Sequence, residues 1–401
     1  MTHQLFQSLR LDGLLSFAPG SPAVELRPLN VLIGPNGSGK SNFIEAFELL
    51  SALPTSLQNH IRGGGTPEDW IWKGKPRCTK ATVAVQIQRD GHPREEYQLA
   101  LGLVGQRLDV DAESFQELVP AYGSELPFVY ADIQGKVAKV ATKFVGPDGP
   151  SSKYEPSVAD RNFMRSDESV FTQRKETVSY PDLNDLATRF SAIYSFREWS
   201  FGKYGEQRAP QSTALPNDVL LPDGSNLALF LNDLEHVDYV ARGRLDDYVK
   251  RFLPRFERLS TRVIGGTTQL YFHEAGCLAP IPAQRLSDGT LRFIAMLAAL
   301  LAPKAAPIIC LDEPELGLHP DAMTILAELL LETSTRTQLV VTTHSEALLS
   351  RLSDNSDSVL VCEHLGDTTV LERLDPEKLK FWLDRYSLGE IWRVGELGGN
   401  P

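Results

Sequence analysis

Cysteine is scarce in this 401-residue chain, and the four present, Cys78, Cys277, Cys310 and Cys362, show no C-x-x-C spacing. That excludes a disulfide framework and a zinc knuckle and predicts reduced thiols, mostly in the core. Long apolar runs are missing too. The longest nearly uninterrupted one, FIAMLAALLA at 293–302, falls well short of the ~20 residues a membrane-spanning helix needs. The opening MTHQLFQSLRLDG has no basic segment leading into an apolar stretch and a cleavage site, so a cytoplasmic protein with no membrane partner is expected. Positive charge is not in excess: 40 Lys and Arg against 52 Asp and Glu give a net charge of −12. A surface that is basic overall is thereby excluded, whereas a local basic groove is not, because phosphate binding depends on where charges sit. Repeats of 20–50 residues and sustained heptads are absent, which removes solenoids and long coiled coils.

What remains is an ordinary globular composition, long enough for two or three structural units. Residues 5–33 alternate and then run apolar into LNVLIG, which reads as strands with the last one buried. A glycine-rich turn follows, and SNFIEAFELLSAL then places Phe43, Ile44, Phe47 and Leu50 at helical spacing before Pro54. Between 55 and 280 the texture changes. ATVAVQIQ at 81–88 and YQLALGL at 97–103 flank Asp90-Gly91 and predict an antiparallel hairpin. Residues 146–182 are polar and rich in Pro, Gly and Ser, and read as a loop. Over 226–259 helical spacing returns, with Leu227, Leu231, Leu234, Tyr248, Phe252 and Phe256 as buried candidates. From 286 apolar strands at 307–312, 338–343 and 357–362 alternate with helices at 290–302, 320–332, 345–352 and 375–386, the pattern of a mostly parallel sheet flanked by helices.

Gly34-Pro35-Asn36-Gly37-Ser38-Gly39-Lys40-Ser41 fits the phosphate-loop pattern G-x-x-x-x-G-K-[ST], and it stands between a strand and a helix. Glycines let successive N–H groups turn toward phosphate oxygens, and the helix N-terminus adds partial positive charge. Lys40 would bridge the β- and γ-phosphates and the Ser41 hydroxyl would ligate Mg²⁺. The strand at 307–312 ends in Asp312-Glu313-Pro314, carrying two acids to a carboxyl end that faces the ligand crevice of an open sheet. There Asp312 would hold Mg²⁺ through water and Glu313 would act as general base. A further buried strand ends in Thr342-Thr343-His344-Ser345, placing His344 to contact the γ-phosphate and orient water. Upstream, Leu286-Ser287-Asp288-Gly289-Thr290 precedes an apolar helix, which on its own is an ordinary cap.

The order of these motifs resembles the ABC-type branch of P-loop ATPases, and within it the RecF/SMC/OLD-like AAA-type ATPases of bacteria. GPNGSGKSN, which ends at Asn42, resembles their Walker A; LSDGT resembles their signature turn, ICLDEP their Walker B, ELGLHP their D-loop and TTHS their H-loop, and LGEIWRVGELGGNP their tail. The resemblance covers 1–55 and 285–362 in detail. It implies an ABC/RecF-like ATPase head built from 1–55 and 285–401, with 56–284 inserted as a β-hairpin and an α-rich lobe. It also implies ATP and Mg²⁺ as cofactors and a head-to-tail homodimer, in which Ser287, Asp288 and Gly289 act in trans on the partner's γ-phosphate. Two departures stand out: Asp288 replaces the glycine of the transporters, and Gln86 and Gln88 lie in the hairpin rather than after a later strand, where the family carries its glutamine. Phe17 reads as a buried strand-end residue rather than a platform for adenine. Fewer than 60 residues follow His344, too few for a nuclease domain, so a stand-alone ATPase is expected.

Two functions follow from the resemblance. In the first, ATP-driven dimerisation controls a DNA-binding surface in repair or phage defence; the basic residues Arg242, Arg244, Lys250, Arg251, Arg255, Arg258 and Arg262, and Arg161, Arg165, Arg174 and Lys175, are its candidates. Interleaved Asp246, Asp247 and Glu257 make a solvated helix face the simpler reading of the first set. In the second, a nucleotide-gated scaffold holds and releases a protein effector.

Overall fold

Leu29–Ile33 is buried at all five positions because it lies inside a six-stranded sheet. Across that sheet the order is Ile193–Phe196, Ile308–Asp312, Gln338–Thr342, Leu29–Ile33, Val359–Leu365 and Thr368–Arg373. The first four pairings are parallel and the last antiparallel. Alternate side chains enter two different cores. Val31, Ile33, Ile309, Leu311, Leu339 and Val341 meet the helices Asp288–Leu300 and Ala322–Ser334, whereas Leu32, Ile308, Cys310, Val340 and Leu360 meet the helix Lys40–Ala52. A sheet covered on both faces needs apolar residues at both phases of the strand, hence the uninterrupted runs in the sequence. The computed structural model describes residues 4–120, 125–135, 137–145, 152–160, 164–197, 199–302, 304 and 306–398.

The helix Lys40–Ala52 is itself enclosed. Phe43, Ile44, Phe47 and Leu50 are buried as their spacing predicts, and so are Ala46 and Leu49. Its outer side is roofed by a second sheet, entirely antiparallel, of eight strands: Val24–Glu25, Phe6–Asp12, Lys80–Gln88, Arg94–Val104, Arg107–Glu117, Val129–Gln134, Val137–Val145 and Ser152–Asp160. Phe6 reaches from this sheet to Phe47, ring centroids 5.7 Å apart and nearly perpendicular.

The expected hairpin is therefore one rung of a much larger sheet. RLDVDAESFQE conceals its strand because Leu108, Val110 and Phe115 carry the apolar face while Glu113 and Glu117 are buried as well; the acids hide the period-2 signal. The loop reading of 146–182 is also corrected in part. Ser152–Asp160 is a strand, and Val170–Gln173 and the start of Pro181–Ser191 are helical, while 146–151 and 161–163 lie outside the described residues. The expected α-rich lobe contains the helices Leu227–Val237 and Tyr239–Phe252 but also the hairpin Phe256–Ile264/Thr267–Glu274. Leu227, Leu231, Leu234 and Phe256 are buried there, with Tyr248 and Phe252 packed at the margin. Strand pairing crosses the expected division at 56–284, since Ile193–Phe196 joins the parallel sheet beside Ile308–Asp312.

One buried side chain stitches the two large sheets together. At the start of its strand, Gln338 accepts from the Phe6 N–H (3.1 Å) and donates to the carbonyls of Phe6 (2.8 Å) and Arg27 (3.1 Å). Gln338→Leu strips these partners from buried backbone groups and is expected to cost about 1–3 kcal/mol. A urea melt should show a lower midpoint with an unchanged slope.

Candidate nucleotide-binding site

The register of the parallel strands sets the site. Leu32 pairs with Thr342 and Thr342 with Asp312, so the chain leaves three neighbouring strands at one edge, as Gly34, Thr343 and Glu313. Beyond Gly34 the phosphate loop leans on the C-terminal strand pair. The Ser38 carbonyl accepts from Thr369 Oγ1 (2.9 Å) and Cys362 Sγ (3.2 Å). Gly39, at φ 104, precedes the helix where a Cβ would collide with Thr369 and Ser16; at Gly34, φ 148, it would meet the Cys362 carbonyl. Only glycine fits this combination of left-handed backbone and close approach. Asn36 and Gly37 form the exposed tip next to half-buried Pro35, and Asn42 Nδ2 donates to Ser16 Oγ (2.8 Å), which ties the helix start to the turn before it.

Two features of the loop anticipate an anion. Lys40 is buried, and its ammonium donates to the loop's own carbonyls, Gly34 (2.8 Å) and Pro35 (3.0 Å). Burial lowers its pKa, with Glu313 and Asp312 acting the other way. The Ser38 hydroxyl is buried with no hydrogen-bond partner.

Asp312 and Glu313 face this loop. Asp312 accepts from the Thr342 hydroxyl. Glu313 takes φ 47, one of two non-glycine residues with positive φ among the described residues. Its N–H is held by Thr342 O (3.2 Å) and Oγ1 (3.0 Å). Such a conformation costs of order 1–3 kcal/mol and persists only where surrounding contacts enforce it. His344 Nε2 lies 3.4 Å from Glu313 Oε1. Burial, with Lys40 adding to it, lowers the His344 pKa against the pull of Glu313 and Asp312, which leaves the imidazole neutral near pH 7.

Three residues of this cluster, Arg197, Ser195 and Glu48, escaped the sequence reading, and a fourth, Glu315, entered it only as the first residue of the D-loop motif ELGLHP. Arg197, at the end of the edge strand, binds Glu48 Oε2 (2.9 Å) and lies 3.6 Å from Asp312 Oδ2. Ser195 Oγ donates to the other oxygen of Glu48 (2.6 Å). Glu315 Oε1 accepts from the Thr343 hydroxyl (2.6 Å) and the His344 N–H (2.8 Å), joining the D-loop to the H-loop, and burial raises its pKa. Glu48 lies one helical turn beyond Glu45 and two beyond Ser41, a face of acids that the apolar periodicity of the same helix obscures. Gln86 and Gln88 stay in the strand Lys80–Gln88, away from these loops, and Phe17 is buried with its ring centroid 6.4 Å from that of Phe43.

The signature turn stands apart. Among the described residues no hydrogen bond or ion pair links 287–289 to 34–42. Ser287 Oγ caps the helix Asp288–Leu300 by accepting from the Thr290 N–H (3.1 Å), Asp288 pairs with Arg208, and Gly289 abuts the D-loop so closely that a Cβ would lie 2.6 Å from the Gly317 carbonyl. The turn opens on a cleft of about 220 Å³ lined by Trp199, Phe201, Arg292, Leu316 and Gly317 as well as Asp288 and Gly289.

A family profile described as "AAA domain, putative AbiEii toxin, Type IV TA system" matches residues 29–107 and 147–350. The chain belongs to this family. The zinc import ATP-binding protein ZnuC of Ruegeria pomeroyi is similar to this AAA chain at 34% identity over 82 residues, which are 20% of the chain and 30% of ZnuC. The match thus spans under a third of that relative. Among solved structures, an SmcHead bound to the C-winged-helix domain of ScpA superposes at TM-score 0.59 with 14% identity, over 94% of this chain and 99% of that one. The Smc head from Pyrococcus furiosus with the C-terminal domain of ScpA gives TM-score 0.60 at 13% identity, over 95% and 98%. At such identities the likeness establishes an SMC-head-like P-loop ATPase fold.

The residues fit a Mg²⁺-bound triphosphate: a glycine cradle, a buried ammonium satisfied by loop carbonyls, an unpartnered buried hydroxyl, and two carboxylates, Asp312 and Glu313, close enough to act on that ammonium. Mg²⁺ characteristically takes few protein ligands and completes its shell with phosphate oxygens and water. Lys40→Ala is expected to abolish binding of a fluorescent ATP analogue in a titration while leaving the thermal melt cooperative; wild-type affinity would refute the site.

Proposed function

We propose that this AAA-family chain hydrolyses ATP to ADP and phosphate at the edge formed by the three loops, and that ATP joins two copies head to tail. The carrying observation is the division of the site: one chain gathers Lys40, Ser41, Asp312, Glu313 and His344, while Ser287, Asp288 and Gly289 present a capped helix N-terminus elsewhere. A γ-phosphate held by one copy supplies what the free N–H groups of another copy's turn require.

In this mechanism the backbone of Gly34, Pro35, Asn36, Gly37, Ser38 and Gly39 orients the phosphates, and Lys40 leaves the loop carbonyls to meet them. Ser41 and Asp312 would hold Mg²⁺, which neutralises charge developing on the phosphates when bound. Glu313 accepts the proton of the attacking water, positioned by its Thr342 tether and by neutral His344. Arg197 lies between Asp312 and Glu48 and holds the two carboxylates together.

The output, on the family resemblance, is control of DNA in repair or phage defence. One observation favours the second reading, capture and release of a protein effector. Much of the basic set is already paired: Arg242 with Glu235 and Asp246, Arg244 with Glu332, Arg251 with Glu328 and Arg255 with Glu274. Arg165 likewise pairs with Asp167 and Glu168, while Arg161 lies outside the described residues. Toxin–antitoxin membership in the family's description, and the ScpA domains on the Smc heads, support that reading. DNA affinity that falls steeply with salt would favour the first reading; salt-insensitive weak affinity, with a co-purifying effector protein, would favour the second.

Glu313→Gln should keep ATP affinity and lose turnover by roughly 10²-fold or more in a phosphate-release assay; undiminished turnover would remove Glu313 as base. Ser287→Arg should bind ATP normally yet hydrolyse it as poorly, because the fault lies in the copy opposite. Full turnover would reject the trans-acting turn.

A further inference from the structure

We infer that Arg208 is the positioning residue of the signature turn: it neutralises Asp288 and fixes the turn for a phosphate carried by a second copy of this chain. The inference rests on the head-to-tail reading above. Arg208 is 7% exposed and the Asp288 side chain 66% exposed, so the carboxylate stands on the face a phosphate must approach while its counter-charge lies behind it. The guanidinium is engaged all round. Nε donates to the carbonyls of Phe201 (2.8 Å) and Gly202 (3.1 Å), Nη1 to those of Leu286 (2.6 Å) and Ala283 (3.2 Å), and Nη2 to Asp288.

Leu286 immediately precedes Ser287. One planar fork therefore holds both the backbone entering the turn and the acid inside it, which the point charge of a lysine could not do. An acid at 288 is otherwise a liability, because a bare carboxylate at a helix N-terminus satisfies the very charge that should attract a phosphate, and repels the phosphate itself. Paired with Arg208, the turn is close to neutral and its N–H groups remain available. Without Arg208, Asp288 would be free to swing over those groups and cap them.

The test measures ATP-dependent self-association of the full chain in the Glu313→Gln background, by concentration-dependent light scattering with ATP–Mg²⁺. Arg208→Met should weaken the dimer at least about ten-fold while leaving ATP affinity of the monomer unchanged. Adding Asp288→Gly should recover most of that loss, and raising salt should narrow the gap between Arg208→Met and the parent by screening the bare acid. A merely structural arginine predicts no rescue by either route. If Arg208→Met loses its cooperative melt, Arg208→Gln carries the same expectations, since its amide can still donate to a carbonyl but bears no charge. An unweakened dimer, or a loss that Asp288→Gly does not repair, overturns the inference. Ser287→Arg in the same assay separates the two claims. If it dimerises like the parent, the trans-acting turn fails and Arg208 with it; if it does not dimerise while Arg208→Met does, the role of Arg208 alone fails.

Discussion

Parallel pairing of Leu29–Ile33 with Gln338–Thr342, and of that strand with Ile308–Asp312, is the constraint on which the site depends. Residues 310 apart in sequence become neighbours because three apolar strands, each buried on both faces, share a sheet. Their direction then decides the chemistry. All three carboxyl ends point the same way, so a phosphate loop, an acid pair and a histidine converge without any loop having to travel. The Ser38 carbonyl, clasped by Thr369 and Cys362, extends this dependence to the strand pair Val359–Leu365/Thr368–Arg373, which contributes no catalytic group but forms the wall behind the phosphate loop.

Electrostatics within the site follows the same geometry. Each cation is matched to polar partners: Lys40 to its own loop's carbonyls, Arg197 to Glu48 and Asp312, Arg208 to Asp288. Opposite charges thereby stay balanced in a partly buried setting where leaving one bare would be costly. The Glu313 backbone, bent to φ 47 and tethered by Thr342, is held in this arrangement by the fold itself.

Much of this was legible in the sequence. GPNGSGKS, DEP and TTHS announced themselves because a phosphate loop and strand-terminal acids leave short, local signatures, and the doubly buried strands read as apolar runs. The larger antiparallel sheet did not. Its strands carry one apolar face, and in Arg107–Glu117 that face includes Glu113 and Glu117, whose burial is made tolerable by hydrogen bonds from Tyr97, Ser169 and Phe128 that no local pattern encodes. Arg197 and Arg208 were invisible for a related reason: each acts through partners far along the chain, and a lone arginine has no spacing to betray it. The basic cluster at 242–262 is the opposite case: it is conspicuous in sequence, yet Arg242, Arg244, Arg251 and Arg255 pair with acids, most of them on other elements.

Mass decides the central claim, that nucleotide held by one copy is completed by the signature turn of another. Light scattering of the Glu313→Gln chain should give the 44.4 kDa monomer without nucleotide and twice that mass with ATP–Mg²⁺. A mass that stays at the monomer value in saturating ATP–Mg²⁺, with nucleotide bound, would contradict it.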